Sequence, residues 1–139
     1  MKRQRLLNGP ISSVVAQLGH TDTICICDAG LPVPEHVLRI DLAVSRGIPS
    51  LLDVLNAVGS EMMVEQVTIA SELAETDAEM SRALNDKVSE MEQEQGRAIA
   101  VQTVSHEELK TRVVNCRAVI RSGEFTPYAN IILSSGVCF

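Results

Sequence analysis

Residues 10–34 read PISSVVAQLGHTDTICICDAGLPVP, and this stretch decides the fold class. From Pro10 to Leu18 it places Ile11, Val14, Val15 and Leu18 on one stripe at helical spacing. Pro10 suits the first turn of a helix, and Gly19 is expected to end it. Thr23 to Cys27 is then an apolar run of strand length. Asp28 to Pro34 follows as a loop punctuated by Gly30, Pro32 and Pro34.

The same alternation continues outward. Leu38 to Ala43 reads as a strand. Ser50 can cap a helix that carries Asp53 in its first turn and runs to about Val58. Met63 to Ala70 alternates as a strand. Thr76-x-x-Glu79 has the form of a capping box that opens a long helix, with Met80, Leu84, Val88 and Met91 on one face and Gly96 at its end. Ala98 to Val104 is a strand. Ser105-x-x-Glu108 is a second capping box, for a helix to about Asn115. Ala118 to Arg121 and Asn130 to Ser134 read as strands, joined by a loop over Gly123 to Ala129. No repeat, linker or low-complexity segment interrupts the series. The expectation is an α/β fold: one domain over residues 1–139, three-layered αβα, with a mostly parallel central sheet.

Composition narrows the function. Hydrophobic residues make up 45% of the chain and aromatics 2%, so a core of aliphatic side chains is expected, without stacking platforms for bases. A net charge of -6 repels a phosphate backbone, which argues against nucleic-acid binding. The basic start at Lys2, Arg3 and Arg5 meets Asn8-Gly9-Pro10 before any signal-like apolar region, and no apolar run is long enough to cross a bilayer. A soluble, intracellular protein with no membrane partner is expected. Cys25, Cys27, Cys116 and Cys138 form neither a CxxC motif nor a zinc pattern, and reduced buried thiols are the expectation. There is no GxGxxG, no GxxxxGK[ST], no GxSxG and no metal-ligand spacing, so neither a cofactor nor a metal is expected.

What remains is a set of polar residues at strand ends, where open α/β sheets bind ligands. His20 is either a histidine at a helix C-terminus, favoured by the dipole, or a proton donor and acceptor active near neutral pH. Asp28 is either a turn aspartate bonding its own backbone or a ligand acceptor. His106 is either an exposed first-turn histidine or a ligand partner. Tyr128 and Asn130 end a loop, and a phenol and an amide there would suit a polyhydroxylated ligand. His36 reads as a surface residue. Spacing does not choose among these. The set fits proton movement on a small polar molecule.

Several segments resemble the ribose pyranase and fucose mutarotase family. These are Leu18-Gly-His-Thr-Asp22, Cys27-Asp-Ala-Gly-Leu-Pro32, Arg39-Ile-Asp41, Val119-Ile-Arg-Ser-Gly-Glu124 and Pro127-Tyr-Ala-Asn-Ile-Ile-Leu133. The resemblance covers essentially the whole chain. Asp28-Ala29 is followed by Gly30-Leu31-Pro32, as in the ribose branch, and His106 also matches that branch. The resemblance implies a cytoplasmic isomerase that interconverts the β-pyranose and β-furanose forms of D-ribose. It implies His20 as proton donor, and Asp28, His106 and Tyr128-Ala129-Asn130 as sugar-binding positions. It further implies a homo-oligomer, a decamer of two stacked pentamers, with sites close to subunit interfaces. Two other functions stay open at this point. One is a mutarotase for fucose or another sugar, and the other is a non-catalytic ribose-binding or transporter-associated protein.

Overall fold

The Asn8 side chain accepts a hydrogen bond from the Ile11 N–H (2.9 Å) and Pro10 sits in the first turn, so helix α1 runs Gly9–Gln17. In the computed structural model, which describes residues 1–139, α1 is followed in order by β1 (Thr23–Cys27), β2 (Leu38–Asp41), α2 (Leu51–Gly59), β3 (Val64–Ala70), α3 (Glu72–Thr76), α4 (Ala78–Gln95), β4 (Ala100–Val104), α5 (His106–Val113), β5 (Ala118–Arg121) and β6 (Ile131–Ser135).

The six strands form one sheet in the order β2-β5-β1-β6-β3-β4. β2, β5 and β1 pair in parallel, as do β3 and β4, and β6 runs antiparallel between β1 and β3. The expectation of an α/β fold with a mostly parallel sheet holds. Period-two alternation along β1 sorts its side chains to the two faces. Ile24 and Ile26 join a core with Ile11 of α1, Leu51 and Leu55 of α2, Leu73 of α3 and Leu84 of α4. Cys25 and Cys27 join a smaller core with Leu109 and Val113 of α5. The layers are therefore unequal, with α5 alone on the second face. Ile24 to Cys27 are fully buried, and burying each Ile contributes about 1.5–3 kcal/mol.

Local structure departs from the sequence reading in several places. Helix α1 ends at Gln17 because Leu18 turns extended (ψ 128°), so Gly19 is not the terminator. The Gly19 N–H instead donates to Asp22 Oδ2 (2.8 Å). Thr76 does not cap the long helix. It closes a short helix, α3, that the pattern did not indicate, and its hydroxyl donates back to the Glu72 carbonyl (2.8 Å). Asp77 leaves helical geometry and takes the cap, accepting from the Met80 N–H (2.9 Å). The Ser50–Asp53 pair forms the full reciprocal box, and Gly96 closes α4 in the left-handed region (φ 68°). Helix α5 stops at Val113 rather than near Asn115, and β2 stops at Asp41. Strand β6 begins at Ile131, which leaves Asn130 outside the ladder.

The direction of β6 matters for the site. Because it runs against the other five strands, its amino end lies beside their carboxyl ends. The segment leading into β6 and the loops leaving β1, β4 and β5 therefore meet at one edge of the sheet.

Candidate active site

Asp28 leaves β1 at that edge, and Asn130 enters β6 beside it. Both are buried. The Asp28 N–H donates to Asn130 Oδ1 (2.9 Å) and Asn130 Nδ2 donates to Asp28 Oδ2 (3.0 Å). The Gly30 N–H donates to Asp28 Oδ1 (2.8 Å). One donor is thus committed to each carboxylate oxygen, which fixes the carboxylate and leaves further lone pairs for a ligand. The turn-aspartate reading and the ligand reading of Asp28 are compatible.

His106 is the first residue of α5, whose cap is Ser105, with the Glu108 N–H donating to Ser105 Oγ (3.2 Å). The His106 N–H donates to both carboxylate oxygens of Glu72 (3.0 and 2.9 Å), which hold the start of α5 against the end of β3. This backbone bond lowers the Glu72 carboxyl below its ordinary value of 4.5, and the Ser71 hydroxyl adds to the effect. The His106 ring meets the Tyr128 ring edge to face, with centroids 5.0 Å apart at 78°. Nδ1 of His106 is buried with no protein partner. Tyr128 itself lies in the left-handed region (φ 65°), uncommon for a bulky residue and consistent with a functional constraint on this turn.

A cavity of about 480 Å³ opens at this edge, lined among others by Asp28, Gly30, His106, Arg121, Glu124 and Tyr128. Arg121 is pinned: Nε donates to the Ala29 carbonyl (3.0 Å) and Nη1 to both Asp41 oxygens (3.1 Å). Burial pushes the Asp41 carboxyl up, but the Ala43 N–H and the Arg121 guanidinium outweigh it and hold it below the usual range. Glu124 Oε1 accepts from the Phe125 N–H, the Thr126 N–H and the Thr126 hydroxyl (3.0, 3.1 and 2.9 Å), so it shapes the loop that delivers Tyr128. Before it, Gly123 packs so closely that a Cβ would lie 2.4 Å from the Ile48 carbonyl oxygen. A larger groove, about 750 Å³ between α1 and β2, contains none of the histidines and not Asp28, so chemistry favours the smaller cavity.

The structure therefore brings Asp28, His106, Tyr128 and Asn130 together. Ala129 is fully buried, its side chain in the larger core, and Asn130 supports Asp28 from behind the cavity wall. His36 is exposed, bonding the Val114 carbonyl (3.0 Å). Sequence reasoning missed Glu72, Glu124 and the pocket role of Arg121. The signal available was a charged residue at the last position of a strand or two or three positions beyond one.

His20 is not with them. It precedes β1, while Asp28 follows it, and β1 alone spans roughly 17 Å. Nor is it a helix-terminal residue, since α1 has ended before it. His20 sits in a turn with Thr21 at φ 68°, whose N–H donates to the Ser135 carbonyl (2.8 Å) at the far end of β6. Its Nε2 bonds Glu65 Oε2 at 2.8 Å, and its side chain is 55% exposed. Nearby, the Gly19 N–H and then Arg117 Nε lower the Asp22 carboxyl, fixing the turn.

Comparison with known proteins agrees with this architecture. The chain is 51% identical to a protein named D-ribose pyranase from Pasteurella multocida, over 100% of both chains. It is 52% identical to a D-ribose pyranase from Pectobacterium atrosepticum, again over 100% of both. The structure of Bacillus subtilis RbsD complexed with D-ribose superposes with a TM-score of 0.90 at 43% identity, covering 100% of each chain. The fucose mutarotase from Streptococcus pneumoniae, in complex with L-fucose, shares the fold at a TM-score of 0.81 and 17% identity, covering 99% of each. Residues 1–138 match the RbsD / FucU transport protein family, and the chain belongs to that family.

Proposed function

We propose that this chain is an isomerase that interconverts the β-pyranose and β-furanose forms of D-ribose, with the sugar held in the cavity at the carboxyl edge of the sheet. The observation that carries this reading is identity of about half, over the full chain, to proteins named D-ribose pyranase. The ribose-bound structural relative and the Asp28, His106, Arg121 and Tyr128 side chains that line the cavity support it.

The chemistry needs only proton transfers. The pyranose ring oxygen accepts a proton, the C1–ring oxygen bond breaks, and the anomeric hydroxyl gives up its proton as the aldehyde forms. The C4 hydroxyl then adds to C1 and loses its proton, and the carbonyl oxygen regains one. His20 is the acid that protonates the ring oxygen. Asp28, pre-set by Gly30 and Asn130, accepts hydrogen bonds from sugar hydroxyls. His106 and Tyr128 flank the ring, and the anomeric proton passes to an acceptor in the cavity, where the Asp28 carboxylate and the His106 ring are at hand. General acid–base help of roughly 10²–10⁴-fold suffices for a ring opening that also proceeds unaided.

The distance between His20 and the cavity gives assembly a role. His20 of one copy completes the cavity of another, so the catalytic unit is an oligomer. A homodecamer of two stacked pentameric rings, acting in the cytoplasm in ribose catabolism, is the assembly this reading takes. No helix is long and apolar enough to cross a membrane.

Saturation-transfer NMR on ribose tests the activity. The expected result is faster exchange between the two ring forms with the protein present, lost in His20→Ala, and a weaker effect on fucose. Ribose binding without faster exchange would leave a sugar-binding protein instead, and preference for fucose would shift the substrate.

A further inference from the structure

The end of the sheet that carries His20 is built around a second residue. Glu65 lies near the start of β3, where the ladder with β6 slips: Val64 is opposite Ser135 and Gln66 opposite Ser134, so Glu65 is the extra residue of a β-bulge. A bulge re-aims the side chain it carries. Here the Glu65 side chain meets His20, with Oε2 2.8 Å from Nε2. Room for this comes from Gly136, whose missing Cβ would stand 3.3 Å from Glu65 Cβ. The facing backbone is fixed on both sides of the turn, since the Thr21 N–H donates to the Ser135 carbonyl (2.8 Å) and the Gly136 N–H to the Met63 carbonyl (2.9 Å).

A stability role does not account for the arrangement. Within one chain the two side chains are 55% and 41% exposed, and exposed pairs of this kind contribute little to the folding of that chain. What the contact does determine is the histidine ring. A carboxylate that accepts from Nε2–H keeps a proton on that nitrogen, fixes the ring plane, and leaves Nδ1 as the nitrogen with no hydrogen bond inside the chain.

We propose that Glu65 is a positioning residue for His20, holding Nε2 so that Nδ1 is the atom that gives the proton to the sugar ring oxygen. The inference rests on the reading of His20 as the acid. In the imidazolium form Nδ1–H protonates the ring oxygen as the C1–oxygen bond breaks. Nδ1 regains a proton when the new ring closes, while Nε2–H stays bonded to Glu65 throughout.

The test compares Glu65→Leu, Glu65→Gln and His20→Ala in the assembled protein. Ring exchange is read by saturation-transfer NMR, the His20 tautomer by ¹⁵N shifts, and folding by thermal midpoint. Leu removes the acceptor from a half-exposed site. The expected result is a kcat lowered roughly tenfold or more, a KM within about twofold of wild type, an unmoved midpoint and a smaller Nε2–H tautomer fraction. Gln, which keeps an acceptor oxygen, recovers most of kcat. If Glu65→Leu exchanges ribose at the wild-type rate while His20→Ala does not, the role of Glu65 is overturned and His20 stands. A fall in midpoint with kcat intact also overturns it. If His20→Ala itself exchanges at the wild-type rate, the reading of His20 fails first, and with it the inference.

Discussion

Asp28 and Asn130 hold each other by two hydrogen bonds in opposite senses, backbone N–H to side-chain oxygen and side-chain amide to carboxylate. The two residues come from neighbouring strands that run antiparallel, and the clasp ties the exit of β1 to the entry of β6. It also divides the two jobs. Asn130 supports the wall and Asp28 lines the cavity. Asn130→Ala leaves a buried backbone N–H unpaired, at a cost of about 1–3 kcal/mol, and frees the carboxylate to move. It should lower both the thermal midpoint and ribose affinity. Asp28→Asn keeps much of the shape and removes the charge. Its amide NH2 would face one of the two donors that the carboxylate accepts, the Gly30 N–H or the Asn130 amide, so it should lower the midpoint as well, while weakening ribose binding by about 1.5–3 kcal/mol, the contribution of a charge-assisted bond. Calorimetric titration with ribose and thermal unfolding of both variants check these outcomes.

Sharing of the site between copies is testable by mixing. His20→Ala keeps the cavity and loses the acid, and Asp28→Ala keeps the acid and loses the cavity. If His20 acts across an interface, co-assembled oligomers contain some sites with both intact parts. Random equal mixing restores about a quarter of sites, because each needs one particular neighbour. Each variant alone should be inactive, and the mixture unfolded and reassembled together should exchange ribose at about that fraction. Activity no higher than that of the separate variants would place acid and cavity in one protomer.

The fold was largely legible because hydrophobic spacing reports burial, and here burial follows simple periods. The Ile24/Ile26 and Cys25/Cys27 alternation assigns two faces without any knowledge of the partners. Thr76 misled for a local reason. A threonine three residues before a glutamate has the form of a cap, but its hydroxyl turned back to Glu72 and the cap passed to Asp77. For the site, the strand-end residues Asp28, His106 and Tyr128 were legible as positions. Their company depends on strand order and on the reversed direction of β6, which no local pattern encodes. The separation of His20 from Asp28 was legible too, because the strand read over Thr23 to Cys27 lies between them. Glu65 was invisible because a β-bulge is a property of the ladder, not of one strand.

Glu72 predicts an acid-sensitive element. Its carboxyl is held below its ordinary value first by the His106 N–H, so the folded state binds its proton less readily than the unfolded chain does. The resulting stabilisation is present above the ordinary value of 4.5 and is lost as pH falls through the depressed folded value. Glu72→Gln should therefore be less stable than wild type near pH 7, and the gap should narrow as pH falls below the ordinary value of 4.5. Denaturant unfolding of both proteins at a series of pH values measures it. Because the bond anchors the first residue of α5, ribose affinity should fall in the same variant at pH 7.

The cysteines divide by environment rather than by sequence. Cys25, Cys27 and Cys116 are buried and Cys138 is exposed, all as free thiols. Burial pushes the Cys27 thiol up to about 12, with the Asp28 carboxylate adding to the effect, and burial also raises Cys25 and Cys116. The thiolate is the reactive form, so these three are inert at neutral pH on two counts, access and ionisation. A thiol reagent at pH 8 should label Cys138 quickly and the other three only on unfolding. Labelling of Cys27 in the folded protein would mean that the carboxyl end of β1 opens, and protection by ribose would then locate the opening at Asp28.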